Sequence, residues 1–276
     1  MNKILVPTDF SEQAENALKV ATQLAKKHDC EIHLLHILDL PLHQIDPVNA
    51  SSFSSGPEAL FFMKLAKKRF DDLLNQDYLK GLKVFSTIDF HEIYSGISDQ
   101  CKKHDIDLVV MGSNGSSGIE EILIGSNTEK VVRHSDVPVL VIKKAHEHFE
   151  ISNFVFASDF TAENQSAYKK ALKFAELWEV KMHLLLVNTP NRFITTKEAN
   201  ARIKKFTSIF NSENYKINIY NDDTIKKGIV NFSYEIDADL IGLSTHGRKG
   251  ISNFFNGSIS EDLVNHANRP VLTFKI

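Results

Sequence analysis

Cysteine is scarce in this sequence: the 276 residues include only two, Cys30 and Cys101. Two distant cysteines do not make the disulfide framework of a small secreted domain, so we expect a reducing compartment, the cytoplasm. We expect each thiol to be a small buried apolar side chain, and we predict no metal site.

Long apolar runs are also missing. No stretch approaches the roughly 18 apolar residues that a membrane-spanning helix needs. The opening segment reaches Pro7 and Asp9 before an apolar run of signal-peptide length can form. The formal net charge is only −3, which favours neither nucleic acid nor an anionic membrane as a partner. We therefore expect a cytoplasmic protein that binds neither.

What the chain does contain is an alternation of short apolar runs and helical patterns. Five predicted strands fall at residues 4–6, 32–38, 82–88, 108–111 and 139–142. The helical patterns between them fall at 11–27, 60–79, 93–103 and after Gly125. A proline- and serine-rich segment at 39–57 is predicted to be a long loop. This alternation predicts an α/β fold, a parallel sheet with helices on both faces.

The second half of the sequence repeats the first. Residues from 153 onward match residues from 3 onward at an offset of 150, which pairs Asp9 with Asp159. Residues from 239 onward match those from 107 onward at an offset of 132, which pairs Gly125 with Gly257. One register held over such lengths predicts two copies of one unit. We place the domains at 1–145 and 151–276, joined through the charged segment 143–150.

A glycine-rich segment follows the fourth predicted strand. It has Gly112, then Gly115 after two residues, and then Gly125 and Ser126 after nine more, where a helical pattern starts. Glycines let backbone N–H groups approach an anion, and a helix N-terminus at Ser126 and Asn127 favours a phosphate. The segment predicts a phosphate cradle. Taken alone, it also fits an ordinary glycine-rich connection between a strand and a helix.

This G-x2-G-x9-G-S pattern resembles the nucleotide loop of the universal stress protein family. The Pro-Thr-Asp that ends strand one and the closing Pro-Val-Leu strand match as well, and the resemblance spans nearly the whole chain. It implies two Rossmann-like domains of the adenine-nucleotide-hydrolase type, each an open five-stranded parallel sheet of order 3-2-1-4-5. Ligand is then expected at the carboxyl ends of the strands, at the switch between strands one and four.

The resemblance also implies the ligand, because family members with this loop bind ATP or a related adenine nucleotide, ADP or AMP. A companion Mg²⁺ is left open. Asp9 is expected near adenine and ribose, and Ile37 is expected to offer backbone groups to adenine. An N-cap or Asx turn is an equally good role for Asp9. The residues carried over in the first copy are Pro7, Thr8, Asp9, Ile37, Met111, Gly112, Gly115, Gly125, Ser126 and Asn127.

The second copy departs from the motif. Ser244 stands in place of the first motif glycine, and Ala157 stands in place of Pro7. A serine fits there only if its φ is negative, so occupancy of the second site stays open. The residues carried over are Ser158, Asp159, Val187, Leu243, Ser244, Gly247, Gly257, Ser258 and Ile259.

Catalytic machinery is not evident in the sequence. The GxxxxGK[ST] phosphate loop is absent, and neither glycine segment holds an evident carboxylate pair for Mg²⁺, so we predict no catalytic residues. The leading hypothesis is a nucleotide-binding stress or signalling module that acts by binding. The alternatives are a slow ATPase or other nucleotide-hydrolysing α/β enzyme, a dinucleotide enzyme, and a scaffold that no longer binds nucleotide.

The last strand of each copy is an edge strand in this topology. Exposed apolar edges invite pairing with another strand. In the resembled family these strands pair across a two-fold axis. We therefore expect residues 139–142 and 271–274 to pair within the chain as an intramolecular pseudo-dimer, while further assembly into a homo-dimer of two chains is left open.

Overall fold

The computed structural model describes residues 1–38, 57–113, 126–210, 214–245 and 269–276. The first copy contains β1 Lys3–Pro7, α1 Glu12–His28, β2 Glu31–Ile37, α2 Pro57–Leu74, β3 Val84–Asp89, α3 Ile93–His104, β4 Leu108–Gly112, α4 Ser126–His134 and β5 Val139–Ile142. The second copy contains β6 Asn153–Ala157, α5 Gln165–Leu177, β7 Lys181–Asn188, α6 Thr196–Thr207, β8 Tyr215–Asn221, α7 Ile225–Glu235, β9 Leu240–Thr245 and β10 Val271–Lys275.

All ten of these strands form one sheet, in the order β3-β2-β1-β4-β5-β10-β9-β6-β7-β8. Each copy therefore has the expected order 3-2-1-4-5, and its strands pair in parallel. In the middle of the sheet β5 and β10 pair antiparallel, with Leu140 opposite Leu272. The predicted pairing within the chain is confirmed. The domain limits at 1–145 and 151–276 stay a prediction, because the sheet runs through both copies.

The sheet is buried on both faces, which explains its continuous apolar runs. Alternate residues of β1 enter different cores: Ile4 and Val6 join one apolar cluster and Leu5 joins the other. Both cysteines are buried, as predicted, with Cys30 4% and Cys101 6% exposed. Burial raises the pKa of the Cys101 thiol to about 12, so it stays protonated and unreactive at neutral pH.

The helix ends follow local sequence signals. Ser11 caps α1 as expected, because its hydroxyl accepts a hydrogen bond from the backbone N–H of Ala14 at 3.3 Å. The predicted helix at 60–79 is instead α2 followed by a separate 3₁₀ turn at Asp77–Leu79. Pro57, assigned to a loop from sequence, begins α2, where its missing N–H is not needed. In the part of the chain that the structure describes, no helix is long and apolar enough to cross a membrane.

Candidate functional site

The strand order of the first copy reverses between β1 and β4, the place where open α/β sheets form a crevice at the carboxyl ends of their strands. The buried face of α1 packs into the apolar cluster on one side of the sheet, and that of α4 packs into the cluster on the other. Helices that leave neighbouring strands on opposite faces leave room between them at the carboxyl edge. This is the position where the sequence predicted a ligand.

Asp9 lies in the turn that follows β1, and its side chain is exposed. One carboxylate oxygen accepts a hydrogen bond from the N–H of Ser11 at 2.9 Å, which is the predicted Asx turn. The hydroxyl of Thr8 accepts from the N–H of Phe10 at 3.0 Å. Phe10 has a φ of 64°, an uncommon conformation outside glycine. The turn is thus held internally while the carboxylate stays accessible to a ligand.

An aromatic cluster packs against this turn. The ring of Phe10 lies 4.7 Å from that of His36 and 5.1 Å from that of Phe70, and the guanidinium of Arg69 stacks 5.5 Å from the Phe10 ring. His36 Nδ1 lies 2.8 Å from the carbonyl oxygen of Thr8. Sequence reasoning missed this support. The available signal was the phenylalanine that follows the aspartate in both copies.

Gly112, at the end of β4, allows α1 to approach closely. A Cβ atom at this position would lie 2.6 Å from the backbone oxygen of Gln13, closer than real contacts allow. The hydroxyl of Thr128 donates to the carbonyl of Gly112 at 3.0 Å, which fixes the first turn of α4 beside the strand end. Ser126 and Asn127, which begin α4, are exposed. A helix N-terminus has free N–H groups and a positive dipole end, so it favours an anion.

The other predicted residues of the first copy fall into three groups. Pro7 and Ile37 end their strands half-buried, whereas Thr8 and Met111 are buried, at 8% and 6% exposed. Gly115 and Gly125 lie outside the described residues. The structure therefore brings the ends of β1, β2 and β4 to one edge of the sheet, together with the start of α4.

The corresponding residues of the second copy differ in their exposure. The predicted residues that the structure describes there are all buried, namely Ser158, Asp159, Val187, Leu243 and Ser244. Asp159 is 4% exposed. One of its oxygens accepts from the Thr161 N–H at 3.1 Å, the Thr161 hydroxyl at 2.9 Å and the Asn164 amide at 2.7 Å. Gly247, Gly257, Ser258 and Ile259 lie outside the described residues.

Ser244 completes this buried network. Its hydroxyl donates to the Asn164 side-chain oxygen at 2.5 Å. By the 150-residue offset, Asn164 occupies the position of Ala14 in α1. In the second copy this position belongs to a 3₁₀ turn, Ala162–Asn164, and the α-helix begins only at Gln165. Ser244, which replaces a glycine of the first copy, is therefore accompanied by a 3₁₀ turn where α1 has its first α-helical turn. Hydrogen bonds run from Asp159 through Asn164 to Ser244.

No group of three or more His, Cys, Asp or Glu residues suited to a metal ion occurs among the residues that the structure places. The first copy instead presents an acidic side chain, a glycine at a close strand–helix approach and an exposed helix N-terminus. These features define an α/β protein of the doubly wound type, with polar and glycine residues at the carboxyl ends of its first-copy strands.

The chain belongs to the universal stress protein family, whose model matches residues 1–143 and 219–275. It is 22% identical to the universal stress protein Slr1230 of Synechocystis sp. over the full length of both chains. It is 34% identical to the universal stress protein MJ0577 of Methanocaldococcus jannaschii over 51% of this chain and 94% of that protein. The crystal structure of a universal stress protein from Archaeoglobus fulgidus shares the fold, with a TM-score of 0.69, 22% identity and coverage of 99% of this chain and 98% of that one.

Proposed function

We propose that the first copy binds one adenine nucleotide, ATP, ADP or AMP, and that the protein serves stress response or signalling by binding rather than by strong catalysis. The observation that carries this proposal is that the exposed Asp9 carboxylate and the exposed N-terminus of α4 follow the neighbouring strands β1 and β4. A carboxylate accepts hydrogen bonds from ribose hydroxyls or from an amine, and the free N–H groups of a helix start bind phosphates.

The two ends of the nucleotide follow from the strand order. The phosphates belong beside Ser126 and Asn127, because α4 starts at the end of β4, next to Gly112. The base belongs on the side of β2, where Ile37 ends the strand and offers backbone groups. An adenine nucleotide, cAMP, has been crystallised with another universal stress protein. The proposal that this chain binds a nucleotide rests on its own residues.

We propose that the second copy binds no nucleotide. A ligand at its carboxyl edge would have to break the hydrogen bonds that hold Asp159 and displace Asn164, which is 1% exposed. Separating buried polar groups from their partners costs about 1–3 kcal/mol for each group. We therefore propose one nucleotide site per chain, whereas the sequence predicted two. The two free, buried cysteines suit the proposed location of this protein, the cytoplasm.

Isothermal titration calorimetry of the purified full chain tests the proposal, with ATP, ADP, AMP and NAD as ligands. We expect heat from at least one adenine nucleotide at one site per chain, and weaker binding of NAD. Absence of heat with every adenine nucleotide would contradict nucleotide binding, and two sites per chain would contradict the proposal that the second copy binds no nucleotide. A turnover assay with ATP and Mg²⁺ separates binding from catalysis, because hydrolysis at ordinary enzyme rates contradicts a binding role.

A further inference from the structure

A polar triad lies at the carboxyl end of β3, outside the residues assigned so far. One oxygen of Asp89 lies 2.7 Å from His91 Nδ1 and accepts from the N–H of Phe90 at 2.8 Å. The other oxygen accepts from the side-chain amide of Gln100 at 3.0 Å. Asp89 is therefore held on both oxygens, and it in turn fixes one nitrogen of the imidazole.

These hydrogen bonds determine which ring nitrogen of His91 carries a proton. Burial alone would raise the pKa of Asp89, but hydrogen bonds from Gln100, His91 and the Phe90 amide outweigh it and lower the pKa, so the carboxyl group is ionised at neutral pH. An ionised carboxylate only accepts, so Nδ1 of His91 carries the proton. In neutral histidine Nε2 is then an acceptor. Nε2 has no hydrogen-bond partner within the described ranges, and the His91 side chain is 51% exposed.

His91 lies on the side of the sheet where we propose that the base binds. Asp89 pairs with Ile37 in the sheet register. A Cβ atom on Gly96 would lie 2.8 Å from Ile37 Cδ1 and 3.5 Å from His91 Cβ, so His91 stands beside the end of β2. β3 is three strands away from β4, about 14 Å at the usual spacing between strands. That distance separates His91 from the phosphate end and rules out a role at the phosphoryl group.

The triad occurs only in the first copy. At the 132-residue offset, the second copy has Asn221, Asp223 and Phe232 in place of Asp89, His91 and Gln100. Phe232 is buried and packs 5.6 Å from the ring of Tyr220, so the fold accepts an apolar side chain there. Gln100 is equally buried, at 7% exposed. Burying an amide costs free energy unless the amide is hydrogen-bonded. The buried Gln100, in place of an apolar side chain, therefore indicates that its hydrogen bond serves to orient Asp89.

We propose that His91 determines base specificity in the first copy: its Nε2 accepts a hydrogen bond from the exocyclic 6-amino group of the purine. This inference rests on the proposed nucleotide binding. Asp89 and Gln100 are positioning residues that hold the acceptor tautomer. The 6-oxo oxygen of a 6-oxo purine is a second acceptor facing Nε2, so the hydrogen bond is lost and the two acceptors repel each other.

Calorimetric titration with ATP and with ITP tests this proposal, because ITP has a 6-oxo group in place of the 6-amino group and a hydrogen on the neighbouring N1. We expect the wild-type chain to bind ATP about tenfold more tightly than ITP, the value of one hydrogen bond. His91→Phe is expected to bring the two Kd values together. His91→Gln keeps an acceptor and is expected to keep the preference, whereas His91→Lys offers only donors and is expected to favour ITP. Asp223→Ala, at the matching position of the second copy, is the control and leaves both Kd values unchanged.

Each outcome supports or overturns the proposal. An unchanged ATP-to-ITP ratio in both His91→Phe and His91→Lys, with normal ATP binding, overturns the role of His91 and leaves nucleotide binding intact. A wild-type chain that binds ATP and ITP equally overturns it as well. A wild-type chain that binds neither overturns both proposals. Because His91→Gln and His91→Lys retain a polar side chain at this half-exposed position, the test does not depend on the folding of the phenylalanine variant.

Discussion

The turns after β1 and β6 have the same backbone design and different surroundings. In each, a hydroxyl of Thr8 or Ser158 accepts from the N–H two residues on, at 3.0 Å, and the phenylalanine that donates it has a positive φ. The aspartate between them is exposed in the first copy and 4% exposed in the second. A shared turn therefore presents its carboxylate to solvent in one copy and buries it in the other.

The fold and the polar contacts at the carboxyl ends of the strands therefore vary independently within one chain. Both copies have the same strand order, and the glycine-to-serine change at Ser244 accompanies a reshaped first helical turn in the second copy. There, protein groups donate three hydrogen bonds to the aspartate, whose counterpart in the first copy is exposed. Both copies therefore share one fold, but the function of each copy depends on its own residues.

The largest expected effect comes from removing the close approach at Gly112. In Gly112→Val, the new side chain collides with the backbone of Gln13 and displaces the first turn of α1. We expect the free energy of unfolding to fall by about 3 kcal/mol and nucleotide binding to be lost. Chemical denaturation and calorimetry measure the two effects.

The matched control for Gly112→Val is Ser244→Gly in the second copy. It removes the hydrogen bond to Asn164 but leaves the first copy intact, so ATP should bind with wild-type affinity. Wild-type ATP binding by Gly112→Val would show that the end of β4 is not part of the site.

The next largest effects are expected at Asp159 and Asp9, where one substitution should lower stability and the other should lower the affinity for ATP. Asp159→Ala removes an acceptor of three hydrogen bonds in a buried network, so we expect a loss of about 2 kcal/mol in the free energy of unfolding and an unchanged Kd for ATP. Asp9→Ala removes an exposed acceptor of one hydrogen bond, so we expect a stability change within about 0.5 kcal/mol and a roughly tenfold higher Kd. A change in ATP affinity with Asp159→Ala alone would reverse our assignment of the nucleotide site.

Local patterns explain what the sequence could predict. The alternation of strands and helices and the Ser11 cap follow from periodicity and capping chemistry over short segments, whereas the strand order and the pairing of residues 139–142 with 271–274 were expected from the family resemblance. The hydrogen-bonded network around Asp159 could not be predicted. It requires Asn164 and Ser244 to meet across 80 residues, a contact that no local signal specifies.

The same limit applies to the residues beside the first site. Asp89 and Gln100 are 11 residues apart, and their contact appears only when α3 packs against the end of β3. The start of α2 at Pro57 was missed for another reason. Proline in a segment rich in serine indicates a loop and equally suits the first turn of a helix.

A smaller effect distinguishes Lys143 from its counterpart Lys275, at the ends of β5 and β10. Lys275 donates to Asp136 at 2.7 Å and to the carbonyl of His134 at 3.2 Å. Lys143 Nζ is buried without a hydrogen-bond partner in the described part of the chain, and burial lowers its pKa to about 7. Below that pH the lysine is charged in both states and its burial opposes folding. As pH rises toward the unfolded pKa, about 10.4, the penalty disappears.

We therefore expect Lys143→Met to stabilise the fold by about 1 kcal/mol at neutral or lower pH, and by progressively less as pH rises above 7. Urea denaturation across this pH range measures the effect, with Lys144→Met as the control, because Lys144 is exposed. A stabilisation that grows as pH rises would have the wrong sign and would contradict a buried, uncompensated lysine.

The smallest effect is expected at the ion pair that joins the two copies. The bond from Lys275 lowers the pKa of Asp136, so its contribution is present above the unfolded pKa of the carboxyl group and is lost as pH falls through the folded one. The Asp136 side chain is 70% exposed, and solvent screens the pair. Asp136→Asn should therefore reduce the free energy of unfolding by no more than about 0.5 kcal/mol at neutral pH and low salt, and by less in high salt. A loss of several kcal/mol would mean that this pair, and not the apolar strands β5 and β10, holds the copies together.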